Sequence, residues 1–399
     1  MRFGISIGAA VAIGISAGCA AEGQPEAGDP GIRADSGAVV LWTYTANPLA
    51  DKVVLSERPV ATIGLETQSS ANEHDRVVAA KFLGGGDIVL AVERAGEIRR
   101  YTEFGELKWS TGPHRGENND FRGTQWLQGV GDSIVAYNPR RSLLSVLGPQ
   151  GSAVLQTHIE PDARASFADA VGLLGSGELL VELFDNPEVS DGHFRPPRDF
   201  AVMTTAGALG PTLFRVPGPE IQFVAEGKGY FITQPVFART TYAVVEEVGF
   251  AVVDTERYEI RRFGADGVLR QILRRFVDRT VTESVIKEAF RDRLRSTPWH
   301  RRKEGEEVLR NRLYHTALPA IGRLLSGGDG VLWASDFRTS PQSPEIWFSY
   351  GFDGEIEGVL ELPPYLSLVD IDDRRALVRQ DTGPRSEELL VYTFSLPTR

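Results

Sequence analysis

A unit of short β-prone runs, each followed by a turn, recurs along the chain, and this recurrence limits the possible folds more than any single motif does. Residues 77 to 111 give VVAAKFL, GGGD, IVLAVE, RAGE, IRRYTEF, GE and LKWST; residues 124 to 159 give TQWLQGV, GD, SIVAYN, PRRS, LLSVLGPQ, GS and AVLQTHI. Each unit holds four strands in roughly 45 residues, the period and content of one β-propeller blade. Residues 165 to 216, 240 to 273 and 323 to 362 repeat the order, the first of them with a polar, Pro-containing insertion. Residues 365 to 396 supply only three strands, so GAVVLWTY or KVVLSERPVATIG near the start of the folded part is expected to provide the fourth. Closure of this kind removes the unpaired edges of an open sheet array.

One stretch departs from the period. In residues 280 to 319, Thr280 stands three before Glu283, a capping-box spacing, and Ile286, Phe290 and Leu294 fall four apart on one helical face. Pro298 and Pro319 stop two helices. The fold class expected is therefore all-β, a six-bladed propeller over residues 38 to 399 with a helical insertion at about 280 to 319 between blades.

The N-terminus is of another kind. MRFGISIGAAVAIGISAGCAAEG carries one positive charge at Arg2, a short apolar stretch and small residues before Cys19, the layout of an export signal over residues 1 to 18 and too short to span a bilayer. Cys19 is the single cysteine, so no intramolecular disulfide can form. Ile15-Ser16-Ala17-Gly18 before it resembles the bacterial lipobox, with Ser16 where that pattern usually has Leu. The resemblance implies lipidation at Cys19, and Ala20 after it resembles the outer-membrane sorting signal. An ordinary cleaved signal with an incidental cysteine is the alternative. Residues 19 to 37, rich in Ala, Gly, Pro and acids without apolar periodicity, are expected to be a flexible tether. The localisation expected is export, with anchoring at the periplasmic face of the outer membrane or at the cell surface.

The order Tyr258-Glu259-Ile260-Arg261, an Arg-rich helical insertion, Gly330-Val331-Leu332-Trp333 and Ile346-Trp347-Phe348 with Asp353-Gly354 resembles an exported bacterial family of six-bladed propellers, NHL- and TolB-like in shape. The resemblance spans about residues 53 to 396. It implies an architecture and leaves function open, because propellers host unrelated activities.

A formal charge of −11 argues against nucleic acid as a partner, since phosphate backbones are held by an excess of Lys and Arg. GPHRGE and GGGD lack the ending and the helix of a phosphate loop. No Gly-x-Ser-x-Gly elbow is present, and the histidines, His74, His114, His158, His193, His300 and His315, show no metal-ligand spacing. No cofactor is implied. The only oxygen donors grouped for a cation, Ca²⁺ in the lactonase-like alternative, are Glu117, Asn118, Asn119 and Asp120 in the run STGPHRGENNDFRG, which otherwise reads as a joint between blades.

Arg76, Arg122, Arg164, Arg239 and Arg323 each precede the innermost strand of a different unit. On a propeller those positions share one face, where five guanidiniums would ring the channel mouth and hold a carboxylate or phosphate. The competing reading pairs each with a nearby acid such as Asp75, Glu117 or Asp120. The basic helix residues Arg291, Arg293, Arg295, Arg301, Arg302 and Lys303 alternate with acids, as a solvated face does. The function expected is a ligand- or protein-binding lipoprotein, with a propeller hydrolase or lyase as alternative.

Overall fold

In this computed structural model, residues 31–395 are described, apart from 46–47, 49, 65–75, 94, 114–119, 188–191, 227–228, 297–305, 307–314 and 382–386. The chain is predominantly β. The first sheet pairs Val77–Phe82, Ile88–Val92, Glu97–Tyr101 and Leu107–Thr111 in chain order. The second does so with Trp126–Val130, Ser133–Asn138, Leu143–Leu147 and Ala153–His158. The third uses Phe167–Leu173, Leu179–Phe184, Pro197–Met203 and Leu209–Pro217. The fourth uses Thr241–Glu246, Gly249–Asp254, Glu259–Gly264 and Leu269–Arg275, and the fifth Ile321–Ser326, Leu332–Asp336, Glu345–Tyr350 and Ile356–Leu362. The sixth has Leu366–Ile371, Arg375–Asp381 and Glu387–Ser395. All neighbours within these sets run antiparallel.

The sixth sheet takes its fourth strand from the N-terminal side. Ala61–Gly64 pairs antiparallel with Glu387–Ser395, Ile63 opposite Leu389, so ATIG of KVVLSERPVATIG completes it. Two further N-terminal strands add in parallel to outer edges: Val40–Tyr44 to Leu269–Arg275, and Lys52–Leu55 to Ile356–Leu362. Ile32–Asp35 then lies against Val40–Tyr44. Tyr44 donates its hydroxyl to the Gly354 carbonyl at 2.6 Å, and Trp42 its indole N–H to Asp353 at 2.9 Å, which ties the fourth sheet to the fifth.

Second strands sit in the middle of the packing and are apolar on both faces, as strands buried on both sides must be. Ile88–Val92 and Phe250–Val253 are buried throughout. Clusters join neighbouring sheets: Val89, Ala91 and Ile98 pack against Leu127 and Ile134, and Val77, Leu90 and Val92 pack against Ile63, Leu377 and Leu389. The first strands of the sheets adjoin in the order first to sixth, and the sixth adjoins the first again.

Each first strand has one edge without a ladder partner, and in the first, third and sixth sheets side chains of the preceding sheet bond that edge. Gln128 both donates to the Leu173 carbonyl and accepts from its N–H. Arg323 donates to the Leu368 carbonyl, Glu345 accepts from the Leu368 N–H, and Arg379 and Glu387 do the same at Val77. Asp370, almost fully buried, accepts from the Phe82 N–H at 2.7 Å and from Lys81 at 2.6 Å.

The helical insertion and the linker before the fourth sheet differ from the repeat pattern in detail. The helix Glu283–Ser296 is capped by Thr282, whose hydroxyl accepts from the Val285 N–H, while Thr280 instead bridges Ala317 in a β contact. The second helix of the insertion lies outside the described residues. The stretch between the third and fourth sheets forms the hairpin Ile221–Glu226 and Gly229–Thr233, which pairs with Gly192–Phe194 from the insertion within the third sheet into a small sheet of its own that the strand count of the repeats did not reveal.

Candidate functional site

Alternation along one strand builds a concavity between two sheets. In Glu259–Gly264, Glu259, Arg261 and Phe263 point to one side and Ile260 and Arg262 to the other. The first set faces the outer strand of the third sheet. Between them lies a cavity of about 450 Å³, floored by Phe214, Val252 and Phe263 and rimmed by Arg257, Arg261, Arg274, Asp254, Glu256 and Glu259. That volume falls within the range of small-molecule sites. Phe214 and Phe263 stack at 4.6 Å with their planes 3° apart, in a series that continues to Phe200 and Phe250.

The charges of the rim are mostly engaged. Glu259 accepts from Arg261 at 2.7 Å and from Arg274 at 2.8 Å. Burial works to raise the Glu259 pKa, yet the two guanidiniums outweigh it and hold the carboxyl below the usual range. Asp254 is bound by Arg195 in a two-point pair at 2.8 and 3.0 Å, and Glu256 faces Arg239 at 3.1 Å. Arg215 takes both oxygens of Asp199. Arg257, exposed on the turn between Gly249–Asp254 and Glu259–Gly264, has no acid within ion-pair distance among the described residues.

Beside this cavity, Glu220 is fully buried and accepts from the Arg239 backbone N–H at 2.9 Å and its guanidinium at 2.8 Å. His315 approaches the same carboxylate to 2.7 Å and His193 to 3.9 Å. Burial lowers the His315 pKa, and the Glu220 charge only partly opposes it. These groups join the small third-to-fourth sheet linker to the segment that follows the helix.

The five arginines singled out by position do not form an open ring. Arg122 and Arg164 close on Asp120 and Asp162 in the same Asp-x-Arg turn, in which the acid also accepts the arginine's backbone N–H at 3.0 and 2.9 Å. Arg239 is held by Glu220, and Arg76 lies 3.9 Å from Glu387. Arg323 is the third residue of its strand rather than a residue before it, because the strand begins at Ile321; its guanidinium bonds the Leu368 carbonyl and lies over Trp347. Of the oxygen donors proposed for a cation, Asp120 is spent on Arg122, while Glu117, Asn118 and Asn119 lie outside the described residues, as does Cys19. No group of three or more His, Cys, Asp or Glu side chains suited to a metal occurs among the described residues. Among them, too, no helix is long and apolar enough to cross a membrane.

Sequence reading missed Arg257, Arg261, Arg274 and the aromatic floor. The signal was the every-second-residue series Glu259, Arg261, Phe263, but which sheet that face meets is not written in the strand itself.

No family model matches the chain, and no curated protein matches it. Solved structures similar to it include a protein assigned to export in Bacteroides fragilis, at 10% identity over 90% of this chain and 100% of that one, TM-score 0.49. Virginiamycin B lyase from Staphylococcus aureus is similar at 9% identity over 86% and 99%, TM-score 0.41. Regucalcin, a calcium-binding protein from Agrobacterium tumefaciens, is similar at 10% identity over 88% and 96%, TM-score 0.37.

Proposed function

We propose that this chain is an exported, lipid-anchored six-bladed propeller that binds a small anionic ligand in the cleft between its third and fourth sheets. Six sets of strands whose first members follow one another in a closed order support the blade count, with the helix Glu283–Ser296 inserted between the fourth and fifth. The layout of residues 1 to 19 supports export and lipidation at Cys19. A Cys19→Ala variant is expected to leave the membrane fraction, and its retention there would contradict the anchor.

The observation that carries the binding function is Arg257. In a lining where Arg215, Arg261 and Arg274 already face acids, Arg257 keeps one exposed guanidinium without one, in the same cavity as Phe214, Val252 and Phe263. A fixed cation at the mouth of a preformed cavity favours an anion by charge-assisted hydrogen bonding. Among the described residues, Arg76, Arg122, Arg164 and Arg239 at the starts of the first strands each face an acid, which favours the cleft over the channel mouth as the binding place. Thermal-shift measurement with benzoate, succinate and inorganic phosphate tests this. At least one is expected to raise the Tm of the whole chain and to lose that effect in Arg257→Gln; no shift with any of the three, or an equal shift in the variant, would refute it.

A further inference from the structure

Resting on the reading of the cleft as an anion site, we infer that its ligand is a monocarboxylate with a flat, aromatic body. Two features of the cavity narrow the class. Phe214, Val252 and Phe263 line the cavity, so a compact inorganic anion would leave this apolar surface uncovered. A planar ring laid against it removes the surface from water and adds the stacking preference of aromatic pairs.

The rim limits the charge. Asp254, Glu256 and Glu259 stand around the same opening as Arg257, and Glu259 stays ionised because Arg261 and Arg274 hold it. Each of these carboxylates is already bound by a guanidinium, Asp254 by Arg195, Glu256 by Arg239 and Glu259 by Arg261 and Arg274, which leaves Arg257 as the one point where a ligand carboxylate gains an unpaired cation. A second carboxylate, or the second charge of a phosphate dianion, would lose water without a matching free cation among the described lining residues. The lining thus selects by attraction at one point and by its apolar surface.

Calorimetric titration of the whole chain with benzoate, acetate, succinate, inorganic phosphate and benzyl alcohol separates these effects. Benzoate is expected to bind about tenfold or more tightly than acetate, as burial of one ring face implies, and more tightly than succinate or phosphate; benzyl alcohol, which lacks the charge, is expected not to bind measurably. Arg257→Gln should abolish benzoate binding. Phe263→Leu, which keeps an apolar side chain in place, should bring benzoate down to the level of acetate. If succinate, phosphate or acetate binds as well as benzoate, the anion site stands and the aromatic class is overturned. If Phe263→Leu leaves benzoate unchanged, the floor has no part in recognition and the inference fails. Binding of none of the anions removes the anion reading and this inference with it.

Discussion

Glu259 shows how single residues set the cleft. It stands between Arg261 and Arg274, one a neighbour on its own strand and the other its cross-strand partner, and fixes both guanidiniums at the rim. Its pKa is lower in the folded chain than in the unfolded one, so the stability it contributes is complete above the unfolded value near 4.5 and is lost as pH falls through the depressed folded value. Glu259→Gln should reduce stability at neutral pH by about 1 kcal/mol, a small figure because Arg261 and Arg274 are half-exposed. It should also flatten the loss of stability between neutral and acid pH, as read by urea unfolding across that range. His315 acts in the same direction: its folded pKa is depressed by burial, so its contribution is full above its unfolded pKa and declines on acidification. The Asp-x-Arg turns at Asp120 and Asp162 make the opposite point. The sequence left Arg122 two readings, an open ring or a pair with an acid such as Asp120, and the turn geometry decides for the pair, as it does for Arg164 with Asp162.

At the level of elements, the strand pattern was legible because turn residues and apolar alternation recur with one period. The windows 77 to 111 and 124 to 159 contain the first two sheets, and the missing strand was sought in the right segment. The hairpin Ile221–Glu226 and Gly229–Thr233 was not read, since it falls outside the period and belongs to no sheet of the repeat. The helix start was misplaced by two residues because Thr280 and Thr282 both precede Glu283, and only the backbone decides which one caps. Among these elements Ala61–Gly64 has the widest consequence, as it joins the beginning of the folded chain to its last sheet. Ile63 is almost fully buried there against Val77, Leu377 and Leu389. Ile63→Ala should cost about 2 to 4 kcal/mol, typical of a large-to-small change in a packed core. The accompanying drop in Tm is expected to affect the whole β signal in circular dichroism and not a separate minor transition.

On the scale of the molecule, the position of the cleft follows from how neighbouring sheets meet. Side chains of one sheet bond the open backbone edge of the next at Gln128, Arg323, Glu345, Arg379 and Asp370, so these polar groups hold first strands together. Farther out, between the third and fourth sheets, Phe214 and Phe263 meet while the charged rim above them stays open. The binding place proposed above is this inter-sheet cleft rather than the central opening. Hydrogen–deuterium exchange of the whole chain with and without saturating benzoate tests that assignment most directly. Slower exchange is expected in Leu209–Pro217 and across Gly249–Arg275; protection confined to the segments around Arg76, Arg122 and Arg164, with none in the cleft, would contradict it.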